Sequence, residues 1–150
     1  MYTIEEFDKA KTKVLKYVLY KKRTLQEVRL KFGQVIEEDL LEDVIEELKE
    51  NGYISDENYI ERSVSEFMAL KNLSIKEIKY KLMGKGISSK LIEDYVQNHI
   101  EELEEYERKS AENIVMKKSV NMEEFEVRQY LIKKGYTADI INDTLEKLEE

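Results

Sequence analysis

The sequence predicts an all-α protein, three tandem three-helix repeats stacked into an elongated, curved array. One observation is a segment that occurs three times, as Thr24-Leu-Gln-Glu-Val-Arg-Leu-Lys-Phe-Gly33, Ser74-Ile-Lys-Glu-Ile-Lys-Tyr-Lys-Leu-Met83 and Glu123-Glu-Phe-Glu-Val-Arg-Gln-Tyr-Leu-Ile132. Glu27, Glu77 and Glu126 stand in register, as do Val28, Ile78 and Val127, and Arg29, Lys79 and Arg128, spaced 50 and then 49 residues apart. A helical period near fifty marks an array whose units bury apolar faces on one another. A second observation is the absence of proline from 150 residues, where average usage gives about seven. Helices then run uninterrupted and turns rest on glycine and polar caps. Third, apolar residues recur at three- and four-residue spacing along most of the chain, although 39% of residues are charged.

The elements follow in order, with the repeats placed at residues 1–54, 55–104 and 105–150. The first helix covers residues 4–20, with Phe7, Ala10, Val14, Tyr17 and Val18 on one face. Its counterparts carry Tyr59, Val64, Phe67 and Met68, then Ala111, Ile114 and Val115. Second helices begin near Thr24, Ser74 and Asn121. Thr24 with Glu27 and Ser74 with Glu77 read as capping boxes. In the third copy Asn121 is expected to cap a slightly longer helix. Second helices end at Gly33, at Gly84 or Gly86, and at Gly135, where glycine suits a left-handed cap. Val35, Ile87 and Tyr136 follow and are expected to fold back on the helix just ended. Third helices carry Leu40, Leu41, Val44, Ile45 and Leu48; Leu91, Ile92, Tyr95 and Val96; and Ile140, Ile141, Thr144, Leu145 and Leu148. Leu41 and Ile92 are 51 apart, so the first repeat differs by one residue in its turn. Residues 101–107 form an acidic stretch that reads either as continuous helix or as a mobile joint.

Composition narrows the function classes. There is no cysteine, which removes disulfides, thiolate zinc sites and cysteine nucleophiles. No apolar run nears the roughly 18 residues that span a bilayer, and the acidic N-terminus has no signal-peptide core. A cytoplasmic, monomeric protein without membrane contact is expected. His99 is the single histidine and stands near a third-helix end, where a cation suits the free carbonyls. Clusters such as Glu37, Glu38 and Asp39 lack the glycine-centred loop of a calcium site. Gly84-Lys-Gly86 lacks the pattern of a phosphate loop, and nothing marks out one carboxylate pair among 33 acids. No catalytic residue, metal or cofactor is expected. Among ten tyrosines, Tyr17, Tyr59, Tyr80, Tyr95 and Tyr130 fall on or beside apolar stripes and read as core.

The net charge of −8 conceals an alternation. Residues 21–31, 71–90 and 117–134 sum to +4, +5 and +2, whereas 37–50, 93–107 and 139–150 sum to −7, −7 and −4. Second helices are basic and third helices acidic, three times over. If the repeats stack, Arg23, Arg29, Lys76, Lys79, Lys81, Arg128, Lys133 and Lys134 form a stripe suited to an acidic protein surface or a phosphate backbone. The plain alternative at each position is a solvated face.

The junction Gly52-Tyr-Ile-Ser-Asp-Glu-Asn-Tyr59 is followed by Lys85-Gly-Ile87 and by Tyr130-Leu-Ile-Lys-Lys-Gly-Tyr136. This succession resembles the RecX family of recombinase regulators over about residues 10–150. Ile60 stands where that family commonly has alanine and Leu73 where it often has glycine, and the family's N-terminal extension is nearly absent. The resemblance implies three three-helix repeats and no enzymatic activity. It also implies binding to the RecA recombinase and its DNA filament, with inhibition of strand exchange, ATP hydrolysis and coprotease activity. The acidic third helices disfavour tight binding to naked DNA, so any direct DNA contact is expected to be weak. A helical nucleic-acid-binding module acting without RecA and a general protein-interaction scaffold are the competing readings.

Overall fold

Nine helices satisfy the periodicity in a computed structural model that describes residues 1–149. They are α1 (Ile4–Tyr20), α2 (Leu25–Phe32), α3 (Glu38–Glu50), α4 (Asp56–Leu70), α5 (Ile75–Gly84), α6 (Ser89–Asn98), α7 (Ile100–Lys118), α8 (Glu124–Lys134) and α9 (Ala138–Glu149). No strand occurs among the described residues. Each triplet buries the stripe its spacing foretold: Val14, Val28 and Val44 in the first, Val64, Ile78 and Ile92 in the second, Val115, Val127 and Ile141 in the third. Burying one such side chain is worth about 1.5–3 kcal/mol. The short second helices, at 8, 10 and 11 residues, are marginal in isolation and depend on this packing.

The acidic stretch is helical. It forms the first turns of α7, where Leu103 and Tyr106 pack into the second cluster; from Ala111 onward the same helix serves the third. α7 therefore couples two cores through one continuous backbone.

Several local expectations are corrected. Gly33 is right-handed, at φ −59°. The turn of the first repeat is one residue shorter, and Gly33 and Ile36 continue the bonding to Arg29 and Phe32, so no left-handed residue is required. Ile36, not Val35, folds inward: Ile36 is buried and Val35 is exposed. Gly84 is the last residue of α5, and the left-handed positions are Gly86 (φ +85°) and Gly135 (φ +96°). Asn121 lies in a turn and Glu123 is the N-cap of α8, its amide donating to Glu126. Leu148 is half exposed, and Tyr80 is 78% exposed because its side of α5 faces away from the core.

Candidate interaction surface

The three copies of the second helix join end to end. The Thr24 hydroxyl accepts from the Glu27 amide and donates to the carbonyl of Lys85 at 2.8 Å, at the far end of α5. The Ser74 hydroxyl likewise accepts from Glu77 and donates to the carbonyl of Lys134 at 2.5 Å, at the far end of α8. One side chain thus caps its own helix and ties the next repeat, and both are fully buried. The position needs a hydroxyl, since only a group that both accepts and donates can serve two partners. Glu123 stands in the same register, and among the described residues no further second helix abuts α8 there.

Two more contacts repeat at each joint. Asp56 of α4 accepts the Leu25 amide at 2.9 Å, and Glu107 of α7 accepts the Ile75 amide at 2.6 Å. Each carboxylate satisfies a first-turn donor that a helix leaves without an internal partner. Gly86 lies against Gln26 and Gly135 against the aliphatic stem of Lys76, so closely that a Cβ would overlap either neighbour. The Asp56 of the junction motif and the glycines of the two later turns are therefore parts of one recurring joint.

The joints differ in their polar surroundings. At the second, the Tyr106 hydroxyl donates to the Leu73 carbonyl at 2.8 Å and accepts its amide at 3.2 Å. Ser110 also donates to Leu73 and shares a 2.5 Å bond with the Tyr136 hydroxyl. Burial pushes the Tyr106, Tyr136 and Glu107 side chains above their ordinary pKa values; the Ile75 amide partly offsets the effect at Glu107.

The eight cations expected to form a stripe fall into distinct settings. Arg29 makes a two-pronged bond to Glu42 with both distances 3.0 Å, Lys79 pairs with Glu93 at 3.0 Å, and Arg128 donates to Asn142 at 2.7 Å. Glu42, Glu93 and Asn142 follow Leu41, Ile92 and Ile141 and keep their register. The thrice-repeated cation thus fastens the second helix to the third within its own repeat. Lys134 bridges to Glu77 at 3.1 Å across the second joint. Arg23 lies 4.0 Å over the Tyr17 ring near the first joint.

Lys76, Lys81 and Lys133 are exposed. With Lys134, Glu77 and Tyr80 they line an open groove of about 320 Å³ where α5 meets α8. Half of the expected stripe is therefore gathered in one place, beside an exposed tyrosine that periodicity assigned to the core. His99 caps α6, with Nδ1 2.9 Å from the Tyr95 carbonyl and its ring stacked on Tyr95. Among the described residues no group of three or more His, Cys, Asp or Glu side chains is arranged to hold a metal ion, and no helix is long and apolar enough to cross a membrane.

Comparison with known proteins places the architecture. A family model described as RecX, first three-helix domain, matches residues 124–148, from the start of α8 through most of α9. The regulatory protein RecX of Clostridium perfringens (strain SM101 / Type A) is 32% identical over 151 residues, covering 96% of this chain and 70% of that protein. The regulatory protein RecX of Staphylococcus carnosus (strain TM300) is 30% identical over 139 residues, and the chain spans about half of it, 52%. The crystal structure of RecX from Lactobacillus salivarius superposes with a TM-score of 0.80 at 28% identity, covering 98% of this chain and 99% of that one. A second crystal structure of a regulatory protein RecX, at 21% identity, shares the fold with a TM-score of 0.80.

Proposed function

We propose a function from one premise: this chain belongs to the RecX family of regulatory proteins. Its reading is a non-enzymatic, cytoplasmic, monomeric regulator that binds the RecA recombinase and its DNA filament and mainly inhibits recombinase, ATPase and coprotease activity. The observation that carries the mechanism is the end-to-end line of second helices with its open lysine groove. An extended row of units at 1–54, 55–104 and 105–150 touches several protomers of a filament at once, so modest contacts add through effective concentration. Preference for one filament state over another then shifts its assembly.

Within this reading the eight cations have unequal parts. Lys76, Lys81 and Lys133 are open to a partner and take the direct contacts. Arg29, Lys79 and Arg128 are half engaged with the third helix, and Arg23 and Lys134 support the joints, so these shape the surface more than they touch the partner.

The test is to titrate the protein into RecA filaments on single-stranded DNA and follow ATP hydrolysis. Inhibition is expected, and the triple variant Lys76→Glu, Lys81→Glu, Lys133→Glu weakens it by at least about tenfold. Unchanged hydrolysis with no binding overturns the proposal. The exposed Tyr80 beside three lysines favours one further reading, a nucleic-acid module acting alone. Salt-sensitive binding to single-stranded DNA, lost in the same variant and without effect on RecA, selects that reading instead.

A further inference from the structure

A second cationic site lies away from the α5–α8 groove. An open cleft of about 620 Å³ forms where the end of α1, the linker before α2, the turn after α3 and the first turns of α4 converge. Lys21, Lys22, Arg23 and Arg62 line it, with Glu61 the single acid. Lys22 pairs with Glu66 at 3.0 Å. Among the described residues Lys21, Arg23 and Arg62 have no carboxylate partner, so the cleft keeps a surplus of positive charge.

Two features separate this from an ordinary solvated patch. The Arg23 Nε is buried and has no acceptor. That buried edge, with the guanidinium stacked 4.0 Å over the Tyr17 ring, fixes the group in place, so that its remaining, partly exposed side is held ready for an anion. The cleft is also lined by three tyrosines; Tyr20 and Tyr53 are 84% and 48% exposed, and Tyr59 is buried beneath Lys22. Guanidinium groups hold phosphate oxygens in a planar fork, and exposed aromatic rings present faces on which a base stacks. The volume lies within the range of small-ligand sites, about 300–1,000 Å³.

We infer that this cleft binds a phosphate group carrying a nucleobase, with Arg23, Arg62 and Lys21 on the phosphate and Tyr20 and Tyr53 beside the base. The chemistry is the same whether it comes from a free nucleotide or from a nucleotide unit of a single strand. It is independent of the lysine groove and requires no recombinase.

Calorimetric titration of the full chain at low ionic strength tests it, with a nucleoside triphosphate, inorganic tripolyphosphate, a short single-stranded oligonucleotide and a poly-glutamate peptide as probes. The triphosphate is expected to bind about tenfold more tightly than tripolyphosphate, through stacking. Arg62→Gln, at an exposed position, is expected to weaken it about tenfold, as is Tyr53→Ala. Lys76→Glu with Lys133→Glu leaves triphosphate binding unchanged, which separates this site from the groove. Tighter oligonucleotide binding that keeps the same Arg62 and Tyr53 dependence identifies the strand as the source. The inference is overturned if no phosphate probe binds, if Arg62→Gln has no effect, if tripolyphosphate binds as tightly as the nucleotide, or if poly-glutamate matches it.

Discussion

The joint between the first two repeats and the joint between the last two share a hydroxyl cap, a carboxylate on a first-turn amide, and a left-handed glycine packed on a first-turn side chain. They part company around that frame. The second adds a buried hydrogen-bonded cluster of Tyr106, Ser110 and Tyr136 on the backbone of Leu73, with Glu107 only 4% exposed. The first has Arg23 in the register of Leu73 and opens into a cationic cleft. One frame therefore carries a buried hydrogen-bonded cluster at one joint and a cationic cleft at the other, and the side chains around it decide which.

Replacing the left-handed glycines acts on the shared frame and has the largest effect. Gly86→Ala and Gly135→Ala each introduce a Cβ at positive φ and against a neighbour. Each is expected to cost about 2 kcal/mol or more, read as a lowered urea midpoint, with faster amide exchange concentrated at the altered joint. Equal losses at both joints would show that the frame dominates; a larger loss at the first would show that the buried hydroxyls hold the second without it.

The dual-purpose caps come next. Thr24→Val and Ser74→Ala each remove a helix cap and an inter-repeat bond, for about 1–2 kcal/mol. Ser74→Ala is expected to be milder, because the Lys134–Glu77 bridge and the Leu73 network remain at its joint. Thermal unfolding of the pair measures the difference, and a more damaging Ser74→Ala would reverse the ranking of the seams.

The smallest effect is one of pH and touches the second joint alone. Burial raises the Glu107 pKa in the folded chain, so the protonated form is favoured by folding. Its contribution is complete below the unfolded carboxyl value and is lost as pH rises through the folded one. Glu107→Gln, which keeps an oxygen acceptor for the Ile75 amide, is expected to flatten that decline. Asp56→Asn provides the comparison at the first joint, and an identical response of stability to pH in both variants would remove Glu107 as the source.

Much of the fold was legible because helical packing writes itself as period: the stripes through Val14, Ile78 and Ile141 are both what repeats and what is buried. The departures fall where a turn or an outer unit breaks that period. One missing residue shifts the inward role from Val35 to Ile36, and Glu123 takes the position that carries a hydroxyl in the other copies. The site was legible only by parts. The recurrence of Arg29, Lys79 and Arg128 was plain, but their acidic and amide partners lie on another helix, so recurrence looked like a surface stripe. A capping box fully accounts for Thr24 and Ser74 within one helix, which hid their second bond. The cleft draws on residues near 20, 53 and 62, and no periodicity links such positions.

The head-to-tail line of second helices has an electrical consequence. Chain order runs from α2 to α8, but the peptide dipoles run the other way through space: α8 points its carbonyl end at the amide end of α5, and α5 points its own at α2. At each internal joint opposite partial charges meet and offset one another, so only the two outer ends remain uncompensated. These poles are the amide end of α8, where Glu123, Glu124 and Glu126 gather, and the carbonyl end of α2, where Arg29 and Lys31 sit. Each pole therefore carries side chains of the sign that stabilises it.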